Sequence, residues 1–138
     1  MVQTLILTHG SLASALVETA QQIVGELKDV HSLSLDWAEP REDLLDRIGR
    51  FIGRLDGGDG VLILTDLFGD TPSNLALGLV DPGRVEVVTG VNLPMVLRLA
   101  CLNRDQPVAE MARWIQAKGR QGIRVGTPVG GAVVGETA

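Results

Sequence analysis

Tyrosine is missing from this chain of 138 residues, and two phenylalanines and two tryptophans are all its aromatics. Stacking platforms for single-stranded nucleic acid depend on such rings, so that class of partner is excluded. A net charge of −5 also lacks the basic footprint of a DNA or RNA binder. The single cysteine, Cys101, rules out an intrachain disulfide and a cysteine-based zinc knuckle. Two histidines are too few for a multi-histidine metal site. The opening residues MVQT carry no basic region, and no long apolar stretch follows, so no signal peptide is expected. No window approaches the ~20 apolar residues of a membrane span. Familiar phosphate motifs are missing as well: there is no GxxxxGK[ST] loop, no GxGxxG after the first strand, and no GxSxG elbow. Lys28 and Lys118, the two lysines, do not follow strands as a phospho-aspartate receiver would require. These absences leave a small, acidic, cytoplasmic globular domain.

What is present is a 45% hydrophobic composition, enough for one core, and apolar spacing that alternates between strand and helix periods. Residues 2–8 (VQTLILT) read as a strand. From Ser11, the apolar residues Leu12, Leu16, Ala20, Ile23 and Leu27 make one helical face. Residues 30–37 alternate, with Leu33, Leu35 and Trp37 on one side. Pro40 opens a helix with a stripe of Leu44, Leu45, Ile48, Phe51, Ile52 and Leu55, and with Asp43–Arg47 and Asp46–Arg50 as i,i+4 pairs. Residues 61–65 (VLILT) are apolar without alternation, as a strand covered on both faces should be. Thr71-Pro72 is an N-cap and first-turn proline, residues 84–89 (RVEVVT) are a fourth strand, and Pro94 starts another helix. A last helix spans residues 108–118 and stops at Gly119. Residues 122–126 (GIRVG) read as a fifth strand, and 127–138 as a weakly ordered tail. The expected fold is therefore α/β: a mostly parallel, doubly wound sheet between two helical layers, in one domain over 1–126.

In such sheets, ligands bind beyond the carboxyl ends of the strands, where the strand order reverses. That edge would gather His9, Asp66, Thr71, Ser73 and Asn92 near three helix N-termini, a suitable place for an anion. Two readings of His9 stand side by side here. It is a hydrogen-bonding group at a strand end, or it is a nucleophile whose second ring nitrogen is held by the Asp66 carboxylate. A neutral imidazole, with an unperturbed pKa of about 6.5, can attack phosphorus at cytoplasmic pH. A carboxylate behind it fixes the tautomer and supports positive charge on the ring. His31, at a strand start, reads as structural, and Cys101 as core packing.

The segments Thr8-His9-Gly10, residues 65–74 (TDLFGDTPSN) and residues 90–95 (GVNLPM), in that order and spacing, resemble the mannose-family enzyme IIA component of the bacterial phosphoenolpyruvate–sugar phosphotransferase system. The resemblance covers nearly the whole chain. It implies that His9 accepts a phosphoryl group from the histidine-containing phosphocarrier protein, and that Asp66 orients its ring. By the same resemblance Gly10, Ser11, Gly69, Asp70, Thr71, Ser73 and Asn92 line the phosphoryl site. It also implies a homodimer in which the last strand, residues 122–126, crosses to the partner's sheet. No metal, nucleotide or other cofactor is implied, because the phosphoryl group passes on to a IIB component acting in trans. The acidic balance suits docking to a more basic carrier protein.

Asp70 departs from the family, which has glycine or another small residue there. A carboxylate ~5 Å from a phosphoryl charge would cost roughly 3 kcal/mol per charge pair at an effective dielectric of 20. Asp70 is therefore expected to point outward or toward the carrier partner. The same site chemistry would serve a regulatory module whose His9 phosphorylation is read by a partner protein without sugar transport. It would also serve the phosphotransfer subunit of dihydroxyacetone kinase.

Overall fold

The computed structural model describes residues 1–34, 36, 38–67, 71–126, 128, 129, 132 and 133; for 71–73 and for those beyond 127 it describes the backbone alone. Four parallel strands, β1 (Gln3–Leu7), β2 (Val30–Leu33), β3 (Val61–Thr65) and β4 (Val85–Val88), form one sheet in the order β2-β1-β3-β4. Between and after them come α1 (Leu12–Val24), α2 (Arg41–Leu55), α3 (Thr71–Leu77), α4 (Leu93–Arg98) and α5 (Val108–Gln121). The order reverses between β1 and β3, whose last residues, Leu7 and Thr65, are paired.

Both faces of the sheet are covered, as the apolar run in β3 requires. Ile6, Leu62 and Leu64 pack with Ala20 of α1, Val96 of α4 and Met111 and Ile115 of α5. Leu5, Leu7, Val61 and Ile63 pack on the other side with Leu44, Ile48 and Ile52 of α2 and Leu75 and Ala76 of α3. Among the described residues, no helix is long and apolar enough to cross a membrane. The three-layer, doubly wound architecture is thus the one the periodicity indicated.

Several local expectations differ from what is observed. β2 stops at Leu33 because it is an edge strand paired only with β1, and β1 itself ends opposite Leu33. Leu35 and Trp37 lie outside the described residues. On α1 the buried face is Ala13, Leu16, Val17 and Ala20, while Leu12 and Ile23 are exposed. Gly25, at φ +85°, ends that helix, so Leu27 reaches the core from the loop beyond. Arg47 pairs with Glu39 (2.6 and 2.8 Å) and not with Asp43, and Arg50 bonds the Asp46 carbonyl and not its carboxylate. Cys101 is exposed on a 3-10 turn over Leu99–Cys101, so it is no core residue. His31 is structural as expected, bonded to Gln3 at 3.0 Å and edge-on to Phe51.

Gly119 does not stop α5; it is buried inside the helix. A Cβ there would lie 2.6 Å from Met95 Sδ, so glycine is present to let α4 approach. Residues 122–126 form no strand in the single chain, and among the described residues no strand takes them into its ladder; Ile123 is 77% and Val125 83% exposed. The ladder instead falls later, in the segment read as tail, where β5 (Pro128–Val129) pairs antiparallel with β6 (Ala132–Val133).

Candidate functional site

Residues leaving the paired ends of β1 and β3 meet at the switch point, and those residues are His9 and Asp66. The Asp66 Oδ2 lies 2.9 Å from His9 Nδ1 and accepts the His9 main-chain N–H at 3.1 Å. One oxygen therefore holds both the ring and the backbone of the same residue. The other oxygen, Oδ1, accepts the Leu67 N–H at 2.9 Å, which fixes the plane of the carboxylate. Asp66 is nearly buried, with 12% of its side chain exposed, whereas the His9 side chain is 49% exposed.

Burial of Asp66 pushes its carboxyl up. The His9 ring and the His9 and Leu67 N–H groups outweigh that effect and hold it below the ordinary carboxylate range. It is ionised at neutral pH and can only accept hydrogen bonds. The proton in the 2.9 Å contact is accordingly carried by His9 Nδ1, so in the neutral ring the lone pair is on Nε2.

Gly10 follows in the left-handed region at φ +51°, where its lack of a Cβ removes the strain other residues would meet. Ser11 occupies the N-cap position of α1 but makes no side-chain cap bond. Thr8 takes that role, its Oγ1 accepting the Ala13 N–H at 2.8 Å. Among the described residues, the Gly10 and Ser11 N–H groups have no acceptor. Thr8 is the residue that strand-end reasoning passed over. The available signal was a second hydroxyl three residues before Ser11, with equal claim to the cap.

Of the remaining candidates, Thr71 and Ser73 lie in the first turn of α3, which starts at this same sheet edge. Gly69 and Asp70 lie outside the described residues. Asn92 is tethered on both sides: its Oδ1 accepts the Met95 N–H as the cap of α4, and its Nδ2 donates to the Gly119 carbonyl of α5, each at 3.0 Å. The Val91 N–H donates to the Thr65 carbonyl at 2.8 Å, which seats the Asn92 loop against the end of β3. The structure therefore joins His9, Asp66, Gly10 and Ser11 directly. Asn92 adjoins them through its loop, its carboxamide engaged elsewhere.

An imidazole with one nitrogen held by a carboxylate, beside two unengaged amides, can accept an electrophile at Nε2 when the ring is neutral, and the amides can meet developing negative charge. Comparison with known proteins gives this chemistry a context. The family model described as "PTS system fructose IIA component" matches residues 3–116. The "PTS system mannose-specific EIIAB component" of Escherichia coli K12 is 33% identical over 119 residues, covering 85% of this chain and 37% of that protein. The chain thus spans little more than a third of that relative's length. The "PTS system fructose-specific EIIA component" of Bacillus subtilis is 26% identical over 126 residues, 91% of this chain and 86% of that one. Among solved structures, the mannose/sorbose specific IIA subunit from Enterococcus faecalis superposes with a TM-score of 0.76 at 25% identity, over 89% of this chain and 92% of that one.

Proposed function

The chain belongs to the mannose-type IIA family of the sugar phosphotransferase system (PTS) and is a component of that system, within which we propose that His9 is the phosphoryl carrier. In this reading the donor is the phosphohistidine of the histidine-containing phosphocarrier protein, and the acceptor is a IIB component acting in trans. The His9 Nε2 lone pair attacks phosphorus, one N–P bond forms, and the N–P bond to the donor ring breaks with its electron pair returning to that ring. The proton on Nδ1 stays where it is, shared with Asp66. Phosphorylation leaves positive charge on the His9 ring, which the Asp66 carboxylate offsets at 2.9 Å. The reverse sequence, with a IIB side chain as nucleophile, hands the group on.

The observation that carries this reading is the double hold of Asp66 Oδ2 on His9, through Nδ1 and through the main-chain N–H. The Gly10 and Ser11 amides would take phosphoryl oxygens at the start of α1. Assignment of Gly69, Asp70, Thr71 and Ser73 to the same phosphoryl site, and of Asn92 to its rim, is supported by the family resemblance. Assembly as a homodimer through residues 122–126 is supported by the exposed apolar side chains of Ile123 and Val125.

The test incubates the protein with phosphoenolpyruvate, enzyme I and the phosphocarrier protein, then counts acid-labile phosphoryl groups by mass spectrometry. One group on the wild type and none on His9→Ala is the expected result. Labelling of His9→Ala would remove His9 from this role.

A further inference from the structure

On the phosphocarrier reading of His9, we infer that Thr8 is a positioning residue for phosphoryl transfer, its one hydroxyl setting the main chain on the far side of the phosphoacceptor from Asp66. Thr8 is buried, 2% exposed, at the tip of β1. Its Oγ1 accepts the Ala13 N–H at 2.8 Å and donates to the His9 carbonyl at 3.1 Å, so the hydroxyl is used in both directions. The His9 carbonyl also takes the Leu12 N–H, at a longer 3.4 Å.

The consequence is a closed bracket around the reacting residue. Asp66 holds the N–H end of His9, Thr8 holds its C=O end, and the same Thr8 oxygen pins the first turn of α1. Gly10, at φ +51°, and Ser11 lie inside that bracket. Had Ser11 capped α1, the cap would have been independent of His9. Because Thr8 caps it, the helix start and the phosphoacceptor share one anchor, and the Gly10 and Ser11 amides keep a fixed relation to the ring. Threonine suits the position better than serine, since its branched Cβ restricts χ1 and so limits where the hydroxyl can go.

Thr8→Val preserves shape and strand propensity but removes both bonds, and Thr8→Ser restores the hydroxyl. With phosphorylated phosphocarrier protein as the probe, Thr8→Val is expected to lower the rate at saturating donor by about 10- to 100-fold. The half-saturating donor concentration should stay within about twofold, the split expected of a loss confined to the transfer step. Thr8→Ser should recover most of the rate. Thr4→Val, which removes a buried hydroxyl on the same strand that bonds nothing among the described residues, should leave the rate unchanged. A folded Thr8→Val transferring at the wild-type rate would overturn the inference, as would Thr8→Ser as slow as Thr8→Val. If valine prevents folding, Thr8→Ala supplies the hydroxyl-free comparison.

A second measurement needs no donor. The Nδ1–H of His9 should exchange with solvent about tenfold faster in Thr8→Val, because the ring opens from Asp66 more often. Unchanged exchange would count against Thr8 even if transfer were never observed. A wild-type protein that takes no phosphoryl group would instead remove the carrier reading and leave the exchange result to decide Thr8.

Discussion

Replacing Asp66 by asparagine tests the centre of the mechanism. The carboxylate accepts three N–H groups, two at Oδ2 from His9 and one at Oδ1 from Leu67. An amide has one oxygen and cannot serve both sides. With its oxygen toward His9, the NH2 group faces the Leu67 N–H, and an unmade bond of this kind costs about 1–3 kcal/mol. With its oxygen toward Leu67, the NH2 group faces the ring, which must then present a lone pair at Nδ1 and carry its proton on Nε2. That tautomer cannot attack through Nε2. In either orientation the charge opposite the phosphorylated ring is gone. Two unit charges at the 2.9 Å of this pair interact by about 6 kcal/mol at an effective dielectric of 20. Since the ring is half-exposed, screening brings this to about 3 kcal/mol, or a rate loss on the order of 100-fold. Quench-flow labelling with phosphorylated carrier protein measures the rate, and a denaturant titration shows whether the variant is folded. Because Asp66 has its carboxyl depressed in the folded state, its stabilisation is complete above the ordinary carboxylate range. It fades as pH falls through the folded value, so the stability gap between wild type and variant should close in acid. A folded Asp66→Asn that is labelled as fast as the wild type would refute the tautomer argument.

Gly60, at φ +99°, has the Arg84 carbonyl oxygen 2.6 Å from where a Cβ would stand, so Gly60→Ala should lose about 3 kcal/mol or more in urea denaturation. Asp56, 4% exposed at its side chain, accepts the Gly58 and Gly60 N–H groups and Arg84 Nε, and the Arg84 guanidinium first, then those amides, hold its carboxyl low. Asp56→Asn should therefore cost about 2 kcal/mol at neutral pH, with the difference vanishing as acid protonates the wild-type carboxylate; a pH-independent difference would contradict the ion pair. Among the described residues Thr4 Oγ1 is buried without a hydrogen-bond partner, so Thr4→Val should raise stability by about 1 kcal/mol in thermal or chemical unfolding.

The layers of the fold were legible because β3 has five apolar residues in a row and α2 a stripe at helical spacing, both of which are local patterns. The site was legible for a related reason: His9 and Asp66 each follow a strand, and parallel strands in register deliver such residues to one edge. Periodicity failed where the outcome depended on a distance between elements. Gly119 has the look of a helix terminator, yet its reason is Met95 across the α4–α5 contact. Thr8 and Ser11 are both plausible caps from composition, and only the reach of one hydroxyl to Ala13 separates them. Residues 122–126 have strand-like composition, and composition does not supply the neighbour a strand needs.

Asn92 gives the loop after β4 a mechanical connection to the last turn of α5. Its Nδ2 grips the Gly119 carbonyl, while three residues further on a Cβ at Gly122 would sit 2.5 Å from Pro94. The loop after β4 and the last turn of α5 are thus clamped together at two points on one side of the molecule. Force applied to the chain as it departs beyond Gly122 would be delivered to that loop directly, without crossing the sheet. Whatever the departing segment grips, the loop after β4 will feel its pull.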